Sequence, residues 1–154
     1  LPDGLVVKKK EYYYDARITH KQKSDAEFVS DFRIWLRDEV LPWNVYCDPS
    51  ASSWKQALRD AGYRVVNAKN DVINGIRHVG SMLNQRTYLI DSSCVNTIRE
   101  YQTYVWDEKQ QELGEDKPLK QNDHAVDTDR YALTCPEVRN VGGTSASFRT
   151  HTRH

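Results

Sequence analysis

Apolar positions recur along the chain with two periods. Short runs of β-branched and aromatic residues alternate with segments whose apolar residues fall three and four apart. Leu5 to Tyr14, reading LVVKKKEYYY, is of the first kind and predicts a strand. Pro2-Asp3-Gly4 before it is a turn signal and suggests a hairpin whose first strand lies upstream. Asp25 to Val40 places Phe28, Val29, Phe32, Trp35, Leu36 and Val40 at helical spacing, with Ser24 or Asp25 as the N-cap and Leu41-Pro42 as the stop. Asn44 to Cys47 reads as a short buried strand that runs into Asp48-Pro49, where the proline holds Asp48 extended. A helix begins near Ser53 and stops at Gly62, and Arg64 to Ala68 is the next strand. Asp71 to Leu83 is helical despite Gly75 and Gly80. Each interior glycine costs about 1 kcal/mol relative to Ala, a cost explained if another backbone approaches closely. Thr87 to Ile90 is a strand ending at Asp91. Val95 to Trp106 and Asn122 to Leu133 are helices, the second with Asn122 or Asp123 as its cap. Asp107 to Gln121 between them is a charged loop.

Strands alternating with helices predict an α/β domain over residues 1–135, and the opening hairpin predicts a mixed sheet. Pro136 to His154 has few apolar residues and reads as a flexible basic tail. The length of 154 residues suits one domain with a real core. Lys plus Arg and Asp plus Glu are both 22, which excludes a protein that coats nucleic acid through bulk charge, though not one with a local basic groove. The 3 cysteines form no CxxC pair and read as small hydrophobes in a reducing, intracellular setting. No apolar run approaches a membrane span, and no signal peptide is visible. The first residue is not Met, so the chain reads as a piece of a longer polypeptide.

Candidate chemistry lies in two acidic places. Asp48 ends a strand, and side chains at strand ends line the crevice where α/β sheets bind ligands. His124, Asp127 and Tyr131 form one stripe of the last helix. Two carboxylates converging in such a crevice need a cation between them, and Mg²⁺ or Mn²⁺ suits oxygen ligands. The competing readings are structural: Asp48 as a cap for the following helix, Asp127 as an acid near the positive end of a helix dipole. Asp91 ends a strand as Asp48 does and is the natural decoy. Asp129 projects away from the His124 stripe and reads as a surface residue. Lys8 and Lys10 share one face, read as solvated or protecting a sheet edge, with a phosphate contact as the alternative. Arg130 and Tyr131 read as packing or pairing with acids. Trp35, Trp43, Trp54 and Trp106 read as core.

Five elements in order resemble the C-terminal nuclease domain of the large terminase subunit of tailed double-stranded DNA phages. They are Val45-Tyr46-Cys47-Asp48-Pro49-Ser50-Ala51, then Leu58 to Tyr63, then Ala68-Lys69-Asn70-Asp71 with Ile73-Asn74-Gly75-Ile76, then Glu100-Tyr101 to Trp106, and finally Asp123-His124-Ala125-Val126-Asp127 to Arg130-Tyr131-Ala132-Leu133. The resemblance runs from about Leu5 to Leu133. It implies an RNase H-like fold, a mixed sheet flanked by helices and here lacking its first strand. It also implies a metal-dependent endonuclease that cuts concatemeric viral DNA during genome packaging, by two-metal hydrolysis in the host cell cytoplasm.

Carried over by position, Asp48 and Asp127 match acidic ligands of two Mg²⁺ or Mn²⁺ ions. His124 matches a position that assists them, and Lys69 one that faces DNA. The family's first metal-binding aspartate lies upstream of Pro2, and Glu11 is not its equivalent. Weak or absent cleavage by these residues alone follows. The implied partners are double-stranded DNA, an ATPase motor domain of the same polypeptide, the small terminase subunit and the portal. No GxxxxGK[ST] occurs in this chain, so no ATPase activity is expected of it. The alternatives are a resolvase- or transposase-type nuclease on the same fold, and a non-catalytic DNA- or portal-docking module.

Overall fold

The computed structural model describes residues 4–103 and 124–135. Within them β1 (Val6–Lys8), α1 (Ala16–Thr19), α2 (Asp25–Trp35), β2 (Val45–Cys47), α3 (Ser52–Asp60), β3 (Val65–Asn67), α4 (Val72–Asn84), β4 (Tyr88–Ile90), α5 (Val95–Thr103) and α6 (His124–Leu133) follow in order. The α/β class is as the pattern predicts. The predicted hairpin, turning at Pro2-Asp3-Gly4 onto an upstream strand, lies outside the described residues; among these the pairings are β1 with β4 and β2 with β3, both parallel. The first strand is shorter than its apolar run, because residues 9–15 leave the ladder, Glu11 turning its side chain to the start of α5 and Tyr12 to Asp31 of α2. Pro2, Asp3, Trp106, the 107–121 loop, Asn122, Asp123 and the 136–154 tail lie outside the described residues.

Two apolar cores follow from the two strand pairs. Phe28, Val29, Phe32 and Leu36 pack with Val45 and Cys47 of β2 and with Trp54 and Leu58 of α3. Val79 of α4, Tyr88 of β4 and Leu133 of α6 form the second. Ser24 starts α2 with a full capping box, its hydroxyl accepting from the Glu27 N–H while the Glu27 carboxylate accepts from the Ser24 N–H. Trp54 is buried and Trp35 packs against the first core, but Trp43 is 67% exposed. It lies on the stretch between α2 and β2, where the Arg64 guanidinium covers its ring at 5.5 Å and, among the described residues, no apolar layer does. The three cysteines are free and buried, as small hydrophobes would be.

α6 is the element that ties the halves together, touching β2 on one side and α4 and α5 on the other. Its buried N-terminus needs acceptors for its first N–H groups. The buried Glu100 carboxylate of α5 supplies one, taking the Ala125 N–H at 2.5 Å and the Val126 N–H at 3.3 Å. Glu11 does the same for α5: one oxygen accepts from Asn96 N–H at 2.8 Å and the other from Thr97 N–H at 2.9 Å. Burial raises the Glu11 carboxyl, but these donors outweigh it and leave it below its ordinary value.

Candidate functional site

The C-terminal end of β2 opens into a cavity of about 610 Å³. Asp48, His124, Asp127 and Tyr131 all line it, together with Ser50 and Trp54. The stripe predicted on the last helix and the strand-end aspartate therefore share one space. Asp48 does not cap α3, whose N-cap position is Ala51 and which has no side-chain cap. Its Oδ1 accepts from the Ser50 N–H and the Ser50 hydroxyl, each at 2.7 Å, and its Oδ2 accepts from the Tyr131 hydroxyl at 3.0 Å. Burial pushes the Asp48 carboxyl up, but these donors and the nearby Arg130 charge win, and it lies below its ordinary 3.8. The Tyr131 hydroxyl, buried and flanked by Asp127 and Asp48, is pushed up to about 12, so it stays a donor.

Lys55 of α3, to which the sequence pattern assigns no role beyond its helix, holds the loop below Asp48. It is 8% exposed, and its ammonium donates to the Pro49 carbonyl and, at 2.9 Å, to Asn67 Oδ1. That fastens the ends of β2 and β3 together where Asp48 emerges. Lys69 is exposed just beyond β3, and the Ala68 N–H bonds the Cys47 carbonyl at 2.9 Å, so Lys69 lies on the same edge of the sheet as Asp48. Asp91 repeats the Asp48 turn, accepting from the Ser93 N–H at 2.9 Å and the Ser93 hydroxyl at 2.7 Å, but it does not line the cavity.

Asp127 pairs with Arg130, whose Nη2 and Nε donate to Asp127 Oδ1 at 2.9 and 3.1 Å. Asp129 is not a surface residue. It is fully buried, and takes the Lys8 ammonium at 2.8 Å, the Tyr88 hydroxyl at 2.8 Å and the Tyr101 hydroxyl at 3.2 Å. Lys8 is correspondingly buried, not solvated; Lys10 stays partly exposed beside Glu39 and the Trp35 ring. The side of α6 opposite the cavity faces β1, β4 and α5 rather than water, which is what the helical stripe alone cannot tell.

Two carboxylates and an imidazole on one cavity suit a hard or borderline cation in donor type. Their number is short: among the described residues no group of three His, Cys, Asp or Glu side chains is close enough to hold an ion. Water or a further carboxylate would have to complete the shell.

Parallel strand pairs packed with helices, and an acid-lined cavity at a strand's C-terminal end, define an α/β protein built to bind at that edge. Known relatives say which kind. The chain is related to the large terminase subunits of phages. It is 46% identical to the large terminase of a thermophilic bacteriophage, with a TM-score of 0.84 over 89% of this chain and 35% of that one. The same thermophilic phage terminase in complex with ADP matches with a TM-score of 0.83 at 45% identity. The large terminase subunit of Escherichia phage T5 is 28% identical over 126 residues, which is 79% of this chain and 28% of the T5 protein. The chain thus spans about a third of the length of these relatives. No family model matches it. Among the described residues no helix is long and apolar enough to cross a membrane.

Proposed function

We propose that the chain is the DNA-cleaving part of a phage packaging enzyme, an RNase H-like, metal-dependent endonuclease that cuts concatemeric viral double-stranded DNA in the host cytoplasm. One observation carries the reading: Asp48, Asp127 and His124 face a single cavity in a chain related to large terminase subunits. In this reading Asp48 and Asp127 hold Mg²⁺ or Mn²⁺, two ions in the complete site, and His124 assists. A bound ion would supply Lewis-acid stabilisation of charge on the phosphodiester. The chain's own residues do the positioning. Ser50 and Tyr131 aim the Asp48 carboxylate, and Lys55 fixes the loop that carries it. Glu100 sets where α6 begins, and with it His124 and Asp127. Lys69, on the same edge, meets the DNA backbone. A motor domain, small terminase subunit and portal are the further partners this reading implies.

The test is thermal unfolding with and without Mn²⁺, beside plasmid nicking. Mn²⁺ at a hundredfold excess over Kd should stabilise the wild type by about 2.7 kcal/mol. Asp48→Asn and Asp127→Asn should each remove that response. Nicking by these residues alone should be weak or absent, since in this reading a further metal-binding aspartate belongs to the complete site. A wild type indifferent to Mn²⁺ overturns the nuclease reading. It would favour the non-catalytic docking module.

A further inference from the structure

Arg130 lies behind the acid wall of the cavity and is an unusual buried arginine. Its side chain is 2% exposed. Two of its nitrogens bond Asp127, and Nη2 also lies 3.5 Å from Asn70 Oδ1. Its guanidinium stacks on the Tyr131 ring at 4.6 Å. Nη1 is buried with no hydrogen-bond partner among the described residues. The aliphatic stem occupies a notch cut by Gly75: a Cβ there would lie 2.6 Å from Arg130 Cγ and 2.7 Å from Cδ. The charge also reaches past its bonded partner to Asp48, adding to the stronger downward pull of the Ser50 and Tyr131 hydrogen bonds on that carboxyl.

A guanidinium cannot discharge, so wherever it is seated the charge is permanent. Converging carboxylates repel, and something positive must offset them whether or not a metal is bound. We propose that Arg130, seated on Gly75, is the fixed counter-charge of the cavity's two carboxylates, which lets Asp127, bonded to it, and Asp48, held by the Tyr131 on which it stacks, share one cavity without a metal, and which competes with a divalent ion for Asp127. The first half stands independently of any metal. The competition rests on the nuclease reading.

Both halves are read from melting curves of the full chain in EDTA and in a Mn²⁺ titration. In EDTA, Arg130→Gln should melt below wild type, and Arg130→Lys, similar in size but charged, should melt above Arg130→Gln. Adding Asp127→Asn to Arg130→Gln should recover part of the loss. Equal melting of the Gln and Lys variants, or no recovery, would make Arg130 a packing residue and overturn the counter-charge. In Mn²⁺, the Gln variant should bind the ion roughly tenfold more tightly than wild type, because a nearby positive charge has gone. If Arg130→Gln does not fold, Arg130→Lys carries the test, since an ammonium lacks the fork that grips Asp127 and should also bind Mn²⁺ more tightly. Equal or weaker binding sinks the competition. A wild type that ignores Mn²⁺ while the EDTA comparisons hold would overturn the nuclease reading and the competition together and leave the counter-charge standing.

Discussion

Asp127 and Asp129 stand two residues apart on α6 and live in opposite environments. Two residues turn a helix by about 200°. That is enough to put the Asp127 side chain, 37% exposed, on the cavity wall, and Asp129, at 0%, inside the protein. Asp127 meets one guanidinium at the edge of water. Asp129 meets an ammonium and two phenols with no water to share. Burial raises the Asp129 carboxyl, while Lys8 and the two tyrosines pull against it. The difference shows how one short helix serves two ends. Its sealed side anchors it to β1, β4 and α5, and that anchoring sets where its open side presents Asp127, His124 and Tyr131.

The largest effect should come from breaking the sealed side. Asp129→Ala leaves the Lys8 ammonium buried and unpaired, and removal of one partner of a buried pair costs about 3–5 kcal/mol. Replacing both, Lys8→Met with Asp129→Leu, should recover most of that loss. Urea unfolding of the two variants checks it. If Asp129→Ala costs under about 1 kcal/mol, within the range of exposed pairs, the pair is not an anchor.

A sharper cut separates the glycines of α4. Gly75 faces the stem of Arg130, whereas a Cβ at Gly80 would meet nothing within 4 Å. Gly75→Ala should therefore destabilise by about 1–3 kcal/mol as overpacking against a side chain pinned at its far end. Gly80→Ala should stabilise by about 0.5–1 kcal/mol through helix propensity alone. Opposite signs at the two positions, read from chemical denaturation, would establish that the notch exists for Arg130. The close approach expected at both glycines occurs at one, and from a side chain.

What the sequence made legible was local. Helical spacing, an N-cap at Ser24 or Asp25 and the proline after Asp48 are written within a few neighbouring residues, and the strands, most helices and the shared cavity of Asp48 and Asp127 followed from them. The partners of Lys8 and Glu100 were not legible, because they lie 121 and 25 residues away. A lysine among lysines, as in Lys8-Lys9-Lys10, looks solvated until the chain folds a carboxylate against one of them. Trp43 failed for the converse reason. Its size predicts burial, but only a neighbouring apolar layer provides it, and among the described residues none covers the stretch before β2.

The smallest effect belongs to the open side and is a matter of pH. The fold holds the Asp48 carboxyl below its ordinary 3.8, so the folded state favours the ionised form. A depressed carboxyl contributes stability that is complete above the unfolded value and is lost as pH falls through the folded one. The wild type should thus lose stability below about pH 3.8 more steeply than Asp48→Asn, which has no proton to take up there. At neutral pH Asp48→Asn should be slightly less stable, since it gives up charge-assisted bonds from Ser50 and Tyr131 at a partly solvated site. The two stability curves should converge as the solution is acidified. Parallel curves between pH 5 and pH 3 would mean that the Ser50 and Tyr131 hydroxyls orient Asp48 without holding its charge, and the open side of α6 would then owe its acids to Arg130 alone.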